Sequence, residues 1–318
     1  MDEIKKILPN VSSSPHFRSK LTTRREMLDV CIAMVPIIIW GAIHFGPYTL
    51  LISACTVATA VAAEYFYEKL MHLPITIGDC SAVVTGLILS LNMPPAIPVW
   101  VPMIGAVFAI VVVKQLYGGL GQNFINPAIA ARCFLHIAYS GLMNNFSYGT
   151  FDNVTSATPL AMVRAGEQVN LWDLFIGNVP GTIGEVSTLC LLIGICYMIA
   201  RNIITPRIPI VYISTVAVFM FIVGGFSPYY VLVQLMSGAI IFGACFMAND
   251  YVTSPVTHKG QILYAIFLGL MTGIIRTWSP TAEGASYSIL LGNLLVPILD
   301  RVSIPTPFGK AKEKRGKK

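Results

Sequence analysis

The feature that most limits what this chain can fold into is a recurrence of apolar stretches long enough to cross a bilayer. Ten of them run over 27–45, 48–67, 81–93, 97–117, 124–142, 183–200, 208–226, 230–248, 261–277 and 285–299. A helix rises about 1.5 Å per residue, so about 20 apolar residues span roughly 30 Å of hydrocarbon. Lipid offers backbone polar groups no partner, which leaves helices or closed barrels, and these runs are too long for barrel strands. Composition agrees: only 11% of the 318 residues are charged and 55% are hydrophobic, against about 25% charged in soluble domains. The expected fold is an all-α polytopic membrane protein with about ten transmembrane helices, and a soluble domain is excluded.

The first 26 residues are polar and basic and lack the apolar core of a cleavable signal, so the first helix is expected to direct insertion itself. Cys31, Cys55, Cys80, Cys133, Cys190, Cys196 and Cys245 sit singly inside apolar runs with no CxxC, which predicts neither disulfides nor a metal cluster. Lys and Arg accumulate on the cytoplasmic side. With the N-terminus inside and all ten segments crossing, eighteen of the twenty-one bases fall on that side. Arg164 and Arg276 then lie outside and Arg132 lies within the fifth segment. The chain divides into a cytoplasmic basic tail (1–26), five helices (27–142), an outward loop (143–182), five more helices (183–299) and a second cytoplasmic basic tail (300–318). Basic tails on a polytopic protein read as topology signals or contacts to anionic lipid, not as nucleic-acid arms.

The two five-helix halves share a pattern. From Ser81 to Pro127 and from Ser237 to Pro297, each opens on a small-residue helix and reaches a Pro-containing break. The breaks are Asn92-Met93-Pro94-Pro95 and Asn249-Asp250-Tyr251-Val252-Thr253-Ser254-Pro255. Each continues through a long helix ending at a base, Lys114 or Arg276, and is expected to resume at a helix start, Gly121-Gln122-Asn123 or Gly292-Asn293. Five crossings is an odd number, so two such copies would be inverted. Inverted repeats with broken helices place a site near the bilayer midplane, and the thirteen-residue segment 81–93 suits a half-helix.

Three constellations carry chemistry. In Gly118-Gly119-Leu120-Gly121-Gln122-Asn123-Phe124-Ile125-Asn126-Pro127, Asn126-Pro127 makes an N-cap and first-turn pair. Gly119, Gly121, Gln122, Asn123 and Asn126 would suit a neutral, flat heteroaromatic ligand, or only a capped helix start. Asp79, Glu185 and Asp250 are acids at or near membrane depth, with Asp29, Glu64 and Asp300 near helix ends. Buried acids mark ion or proton paths, yet a carboxylate near a helix start also serves the helix dipole. In the outward loop, Thr158 precedes Pro159, which keeps it extended and begins a short helix that stops at Gly166. That threonine suits an N-cap or a phosphate carried on its hydroxyl.

The run Asp152, Thr155, Ser156, Ala157, Thr158 (Asp-x-x-Thr-Ser-Ala-Thr) resembles the flavin-attachment motif of the RnfD and NqrB subunits of bacterial ion-pumping redox complexes. Ser14-Pro15-His16, Gly78-Asp79-Cys80-Ser81-Ala82, the Gly-Gly-Leu-Gly-Gln-Asn run, Pro180-Gly181 through Ser187, and Asn249 to Gly260 are similar to the family along nearly the whole chain. Cys80 and Ser156 stand where the family commonly has glycine, and Asn249-Asp250-Tyr251 replaces Thr-Asp-Pro. Length favours the RnfD branch. The resemblance implies a subunit of the Rnf complex, which moves electrons between ferredoxin and NAD and couples them to Na⁺ or H⁺ transport. It also implies FMN joined through its phosphate to Thr158 by a flavin transferase, and a noncovalent riboflavin near the Gly-rich run with Asn123 and Asn126. The ion would pass by Asp79, Glu185 or Asp250. The implied partners are the other Rnf subunits, above all the second covalent-flavin subunit, within the bacterial cytoplasmic membrane. The competing reading is a flavin-free permease or channel with the same inverted repeat.

Overall fold

A computed structural model describes residues 21–146, 158–279 and 284–305, and those residues form helices and connections without a strand. Both tails lie largely outside the described residues, as do Asp152, Thr155, Ser156 and Ala157. A helix lies at each of the ten apolar runs. In order they are α1 (Thr23–Phe45), α2 (Tyr48–Leu70), α3 (Ser81–Leu91), α4 (Trp100–Tyr117) and α5 (Pro127–Ala138), followed by the short α6 (Ser140–Met143), α7 (Pro159–Arg164) and α8 (Leu171–Ile176). The second half supplies α9 (Thr188–Ala200), α10 (Arg207–Val223), α11 (Pro228–Met236), α12 (Ile240–Met247), α13 (His258–Trp278) and α14 (Gly284–Ser303).

Five of these, α1, α2, α4, α13 and α14, are long and apolar enough to cross a membrane, and α11 with α12 makes a sixth if the pair is one span. The others in the apolar runs, α3, α5, α9 and α10, are 11, 12, 13 and 17 residues long. The molecule is an all-helical integral membrane protein.

Local chemistry explains the boundaries. Thr22, Asn126, Asn170, Ser187, Ser227 and Thr257 each accept a backbone N–H at the start of the following helix, the usual role of short polar side chains there. Helices meet closely where the facing residue is glycine. A Cβ on Gly194 of α9 would sit 2.5 Å from the Ala33 carbonyl oxygen of α1, and one on Gly86 of α3 would sit 2.9 Å from the Val57 Cα of α2. Small residues permit such backbone approach between membrane helices. The shared core runs through both halves, with Met34, Ile52, Leu89, Ile110 and Ile129 from the first and Tyr212, Phe242, Tyr264 and Ile289 from the second.

Four features depart from the sequence expectation. Gly121-Gln122-Asn123 lies in a turn instead of opening a helix, and α5 starts only at Pro127. Gly292-Asn293 does not start a helix: both residues are buried in the interior of α14, which begins at Gly284 and continues through Pro297. The run 230–248 is not straight but bends by 63° between α11 and α12, at Ser237-Gly238-Ala239, where Gly238 has φ +70°. Two stretches, Phe108–Lys114 within α4 and Gly243–Met247 within α12, wind as π-helix. Hydropathy cannot reveal that change because every residue in them but Lys114 is small or apolar.

Candidate functional site

Two clefts gather candidate residues, Asn123, Asn126 and Asp250 in one and Thr158 and Glu185 in the other. Met27, in the second turn of α1, lines the first. Phe45, the last residue of α1, packs with Leu174, Val179 and Val186, which line the second. The clefts therefore lie toward opposite ends of a helix about 34 Å long at 1.5 Å per residue.

The first cleft is built around Lys114, where the π-wound part of α4 ends. Lys114 Nζ donates to Glu64 Oε1 at 2.5 Å and to Ser81 Oγ at 2.6 Å. The Ser81 hydroxyl in turn donates to Asp79 Oδ1 at 2.6 Å, which also accepts the Ser81 N–H at 2.8 Å. Asp79 thus caps the start of α3 and joins the lysine through one hydroxyl. Behind them Gln115 Nε2 donates to Glu64 Oε1 at 2.9 Å, and the Thr76 N–H meets Glu68 Oε2 at 3.0 Å. Glu64 and Lys114 are almost fully buried, so each charge depends on the other to offset its lost hydration.

Asn123, Asn126 and Asp250 complete this cleft. Asn126 caps α5, accepting from Ala128 N at 3.0 Å, while its Nδ2 donates to the Met247 carbonyl at the end of α12. Asn123 donates to the Ile125 carbonyl. Gly119 and Gly121 have φ of +91° and +89° and shape the turn ahead of α5, and Gln122 is exposed beside them; none of the three lines the cleft. Asp250, in the connection between α12 and α13, accepts from the Thr253 hydroxyl at 3.0 Å and the Val252 N–H. Burial nevertheless holds its carboxyl above the ordinary carboxylate range.

The second cleft has Thr158 in its lining, with Asn144, Thr182, Glu185, Ser237 and Arg276, and its empty space, mouth included, is about 640 Å³. Thr158 is half-buried and extended (φ −63°, ψ 152°) at the start of α7, and its side chain makes no capping bond. Of the two roles open to this hydroxyl in the sequence, the cap is not made. Arg276, at the end of α13, donates from Nη1 to the Gln234 carbonyl at 2.6 Å and from Nη2 to the Ser237 carbonyl at 2.9 Å. It thereby satisfies carbonyls at the bend between α11 and α12. Arg164 of α7 donates to the Arg276 carbonyl at 2.6 Å, which ties the Thr158 helix to α13.

Glu185 pairs with Arg132 of α5 at 2.8 Å, and Arg132 also donates to the Asn92 side-chain carbonyl. The connection before α9 docks on the broken end of α3, with Ile183 N–H on the Met93 carbonyl at 3.0 Å and Gly184 N–H on the Leu91 carbonyl at 2.6 Å.

The three acids singled out in the sequence are therefore not brought together: Asp79 and Asp250 belong to the Lys114 end and Glu185 to the Thr158 end. Thr158 and Glu185 do share a cleft, as do Asn123, Asn126 and Asp250. Sequence reasoning missed Arg132 as the partner of Glu185, the bonds from Lys114 and Gln115 to Glu64, and Thr182. For Arg132 a signal existed, since an arginine inside an apolar run requires a buried counter-ion.

Comparison with known proteins gives a consistent result. Residues 10–309 match the NQR2, RnfD, RnfE family. The chain is 47% identical over 311 residues to the D subunit of the Na(+)-translocating ferredoxin:NAD(+) oxidoreductase complex of Acetobacterium woodii, covering 96% of each chain. It is 38% identical over 324 residues to the D subunit of the proton-translocating ferredoxin:NAD(+) oxidoreductase complex of Clostridium ljungdahlii, covering 96% of this chain and 98% of that one. Against the D subunit of the ion-translocating oxidoreductase complex of Escherichia coli it is 31% identical over 348 residues, covering 95% and 99%.

Proposed function

The chain belongs to the NQR2, RnfD, RnfE family, and from that premise we propose that it is the RnfD subunit of an ion-translocating ferredoxin:NAD oxidoreductase complex, carrying FMN covalently on Thr158. The observation that carries this reading is the Thr158 hydroxyl: it is uncommitted to helix capping and lies at a cleft that also holds a buried guanidinium, that of Arg276. Such a cleft fits a phosphoester and the ring system attached to it. Bound there, FMN would supply electron-transfer chemistry, while the protein supplies position and electrostatics. The cleft at the other end, with the Asn123 and Asn126 amides, fits riboflavin.

In this reading the chain's residues answer the charge that electron transfer delivers. A negative charge in low-dielectric surroundings is worth far more to a nearby cation than it is in water. Asp79 and Asp250 at one end, and Glu185 at the other, would take up and release the Na⁺ or H⁺ that balances it. Ten crossings in two inverted five-helix repeats account for the arrangement. Lys114 closes on Ser81 at one end and Arg276 on the Ser237 carbonyl at the other, each base ending a long helix and meeting the serine at which its own copy of the pattern opens. Both termini would be cytoplasmic, with Thr158 facing outward, where a flavin transferase of the bacterial cytoplasmic membrane acts. The remaining Rnf subunits, including the second covalent-flavin subunit, would dock on the exposed apolar surface together with lipid.

Thr158→Ala tests the central claim. The parent, matured in its own host, should fluoresce as a flavin band after denaturing electrophoresis, and its Thr158 peptide should gain the mass of FMN less water. The variant should assemble and show neither. A parent peptide of unmodified mass would return the chain to the permease reading.

A further inference from the structure

Thr182 Oγ1 and Ser237 Oγ, in the lining of the Thr158 cleft, and Ser286 Oγ, one residue beyond the lining residue Ala285, are buried and have no hydrogen-bond partner among the described residues. Native interiors rarely leave such groups unpaired, and each instance calls for a reason. Ser237 is instructive because its carbonyl is used, by Arg276 Nη2 at 2.9 Å, while its hydroxyl is spare. Gly238 follows at φ +70°, and a Cβ there would meet that same Nη2 at 2.7 Å and Leu160 Cδ1 at 3.3 Å. Leu160 lies two residues beyond Thr158, so the start of α7 is pressed against the bend that carries Ser237. Glu185, in the same lining, pairs with Arg132 at 2.8 Å. Spare hydroxyls beside the buried Arg276 guanidinium suit a ligand rich in acceptor atoms, as a phosphoester is.

We propose that Thr182, Ser237 and Arg276 are positioning residues that seat the flavin nucleotide carried on Thr158, holding it folded back into the cleft instead of extended into solvent. The inference rests on Thr158 being the attachment residue. The hydroxyls hydrogen-bond acceptor atoms of the nucleotide, and the guanidinium favours its more negative, reduced state.

The decisive variant is Thr182→Val with Ser237→Ala, because neither hydroxyl gives up a hydrogen bond within the protein, and apolar replacement of an unpaired buried group does not cost the fold. The complete complex, matured in its own host, is compared with the parent by three readings: flavin fluorescence after denaturing electrophoresis, quenching of native flavin fluorescence by iodide, and the midpoint potential of the Thr158 flavin. The expected result is an unchanged denatured band, quenching raised several-fold, and a lowered potential, by about 59 mV for each tenfold loss of preference for the one-electron-reduced form. Arg276→Gln should lower the potential further and Arg276→Lys restore most of it. A double variant with the parent's quenching and potential overturns the seat while leaving the attachment intact. A parent without a denatured flavin band removes the attachment reading itself. If Arg276→Gln fails to assemble, the hydroxyl pair decides alone.

Discussion

A lysine at membrane depth survives only beside an acid, and among the described residues Lys114 meets that condition through Glu64 alone at ion-pair distance. Lys114→Met should therefore cost about 3–5 kcal/mol, the usual penalty for stranding a buried charge, whereas Lys114→Met with Glu64→Leu should recover much of it. Thermal unfolding in detergent, followed by tryptophan fluorescence, separates the two outcomes. Asp250 behaves in the opposite sense. Its folded carboxyl binds the proton more tightly than an unfolded one does, so the stability it contributes is present at low pH and is lost as pH rises through its raised pKa. Asp250→Asn should unfold at a higher temperature than the parent at pH 8, with the gap closing as the buffer is taken toward pH 4. Residues of this kind are where the sequence was least legible. Arg132 and Glu185 sit in different halves, and no local pattern announces that one neutralises the other. Asp79, by contrast, was open to a capping role from its place just before a helix, and that contact is present.

At the scale of elements, punctuation in the sequence was a good guide to where helices begin. Thr158-Pro159 and Asn126-Pro127 open α7 and α5 at the expected residues, because proline fixes φ and needs no N–H donor in a first turn. Glycine and asparagine misled at Gly292-Asn293. There they pack inside α14, where a Gly292 Cβ would meet Leu268 Cδ2 at 2.5 Å and the Tyr264 hydroxyl is 2.8 Å from the Asn293 side-chain oxygen. The same tight packing yields a test. Gly194→Val forces two methyl groups and a Cβ into the Ala33 backbone of α1, and overpacking of this sort typically costs about 1–3 kcal/mol. The unfolding temperature should fall while the flavin band after denaturation persists, since no residue of α1 or α9 lines the Thr158 cleft.

For the whole molecule, hydropathy located every one of the ten helical regions because burial in lipid is a property of runs. It could not say which helices would be full-length, since that depends on where neighbours break them. The proposed sidedness is open to direct measurement in a cysteine-free background. Glu167→Cys, exposed beyond α7, should react with an impermeant maleimide in intact cells, and Lys259→Cys, exposed at the start of α13, should react only after the cells are opened. The reverse pattern would turn the molecule over and remove the outward placement of Thr158. Both π-wound stretches deliver side chains to one cleft, Lys114 from the first and Cys245 and Phe246 from the second. A π turn holds roughly one residue more than an α turn. Deleting a residue from Phe108–Lys114 would not so much shorten α4 as rotate its two ends against each other by about 100°, swinging Lys114 off Glu64. Within these stretches the number of residues, more than their identity, sets where Lys114, Cys245 and Phe246 meet the cleft.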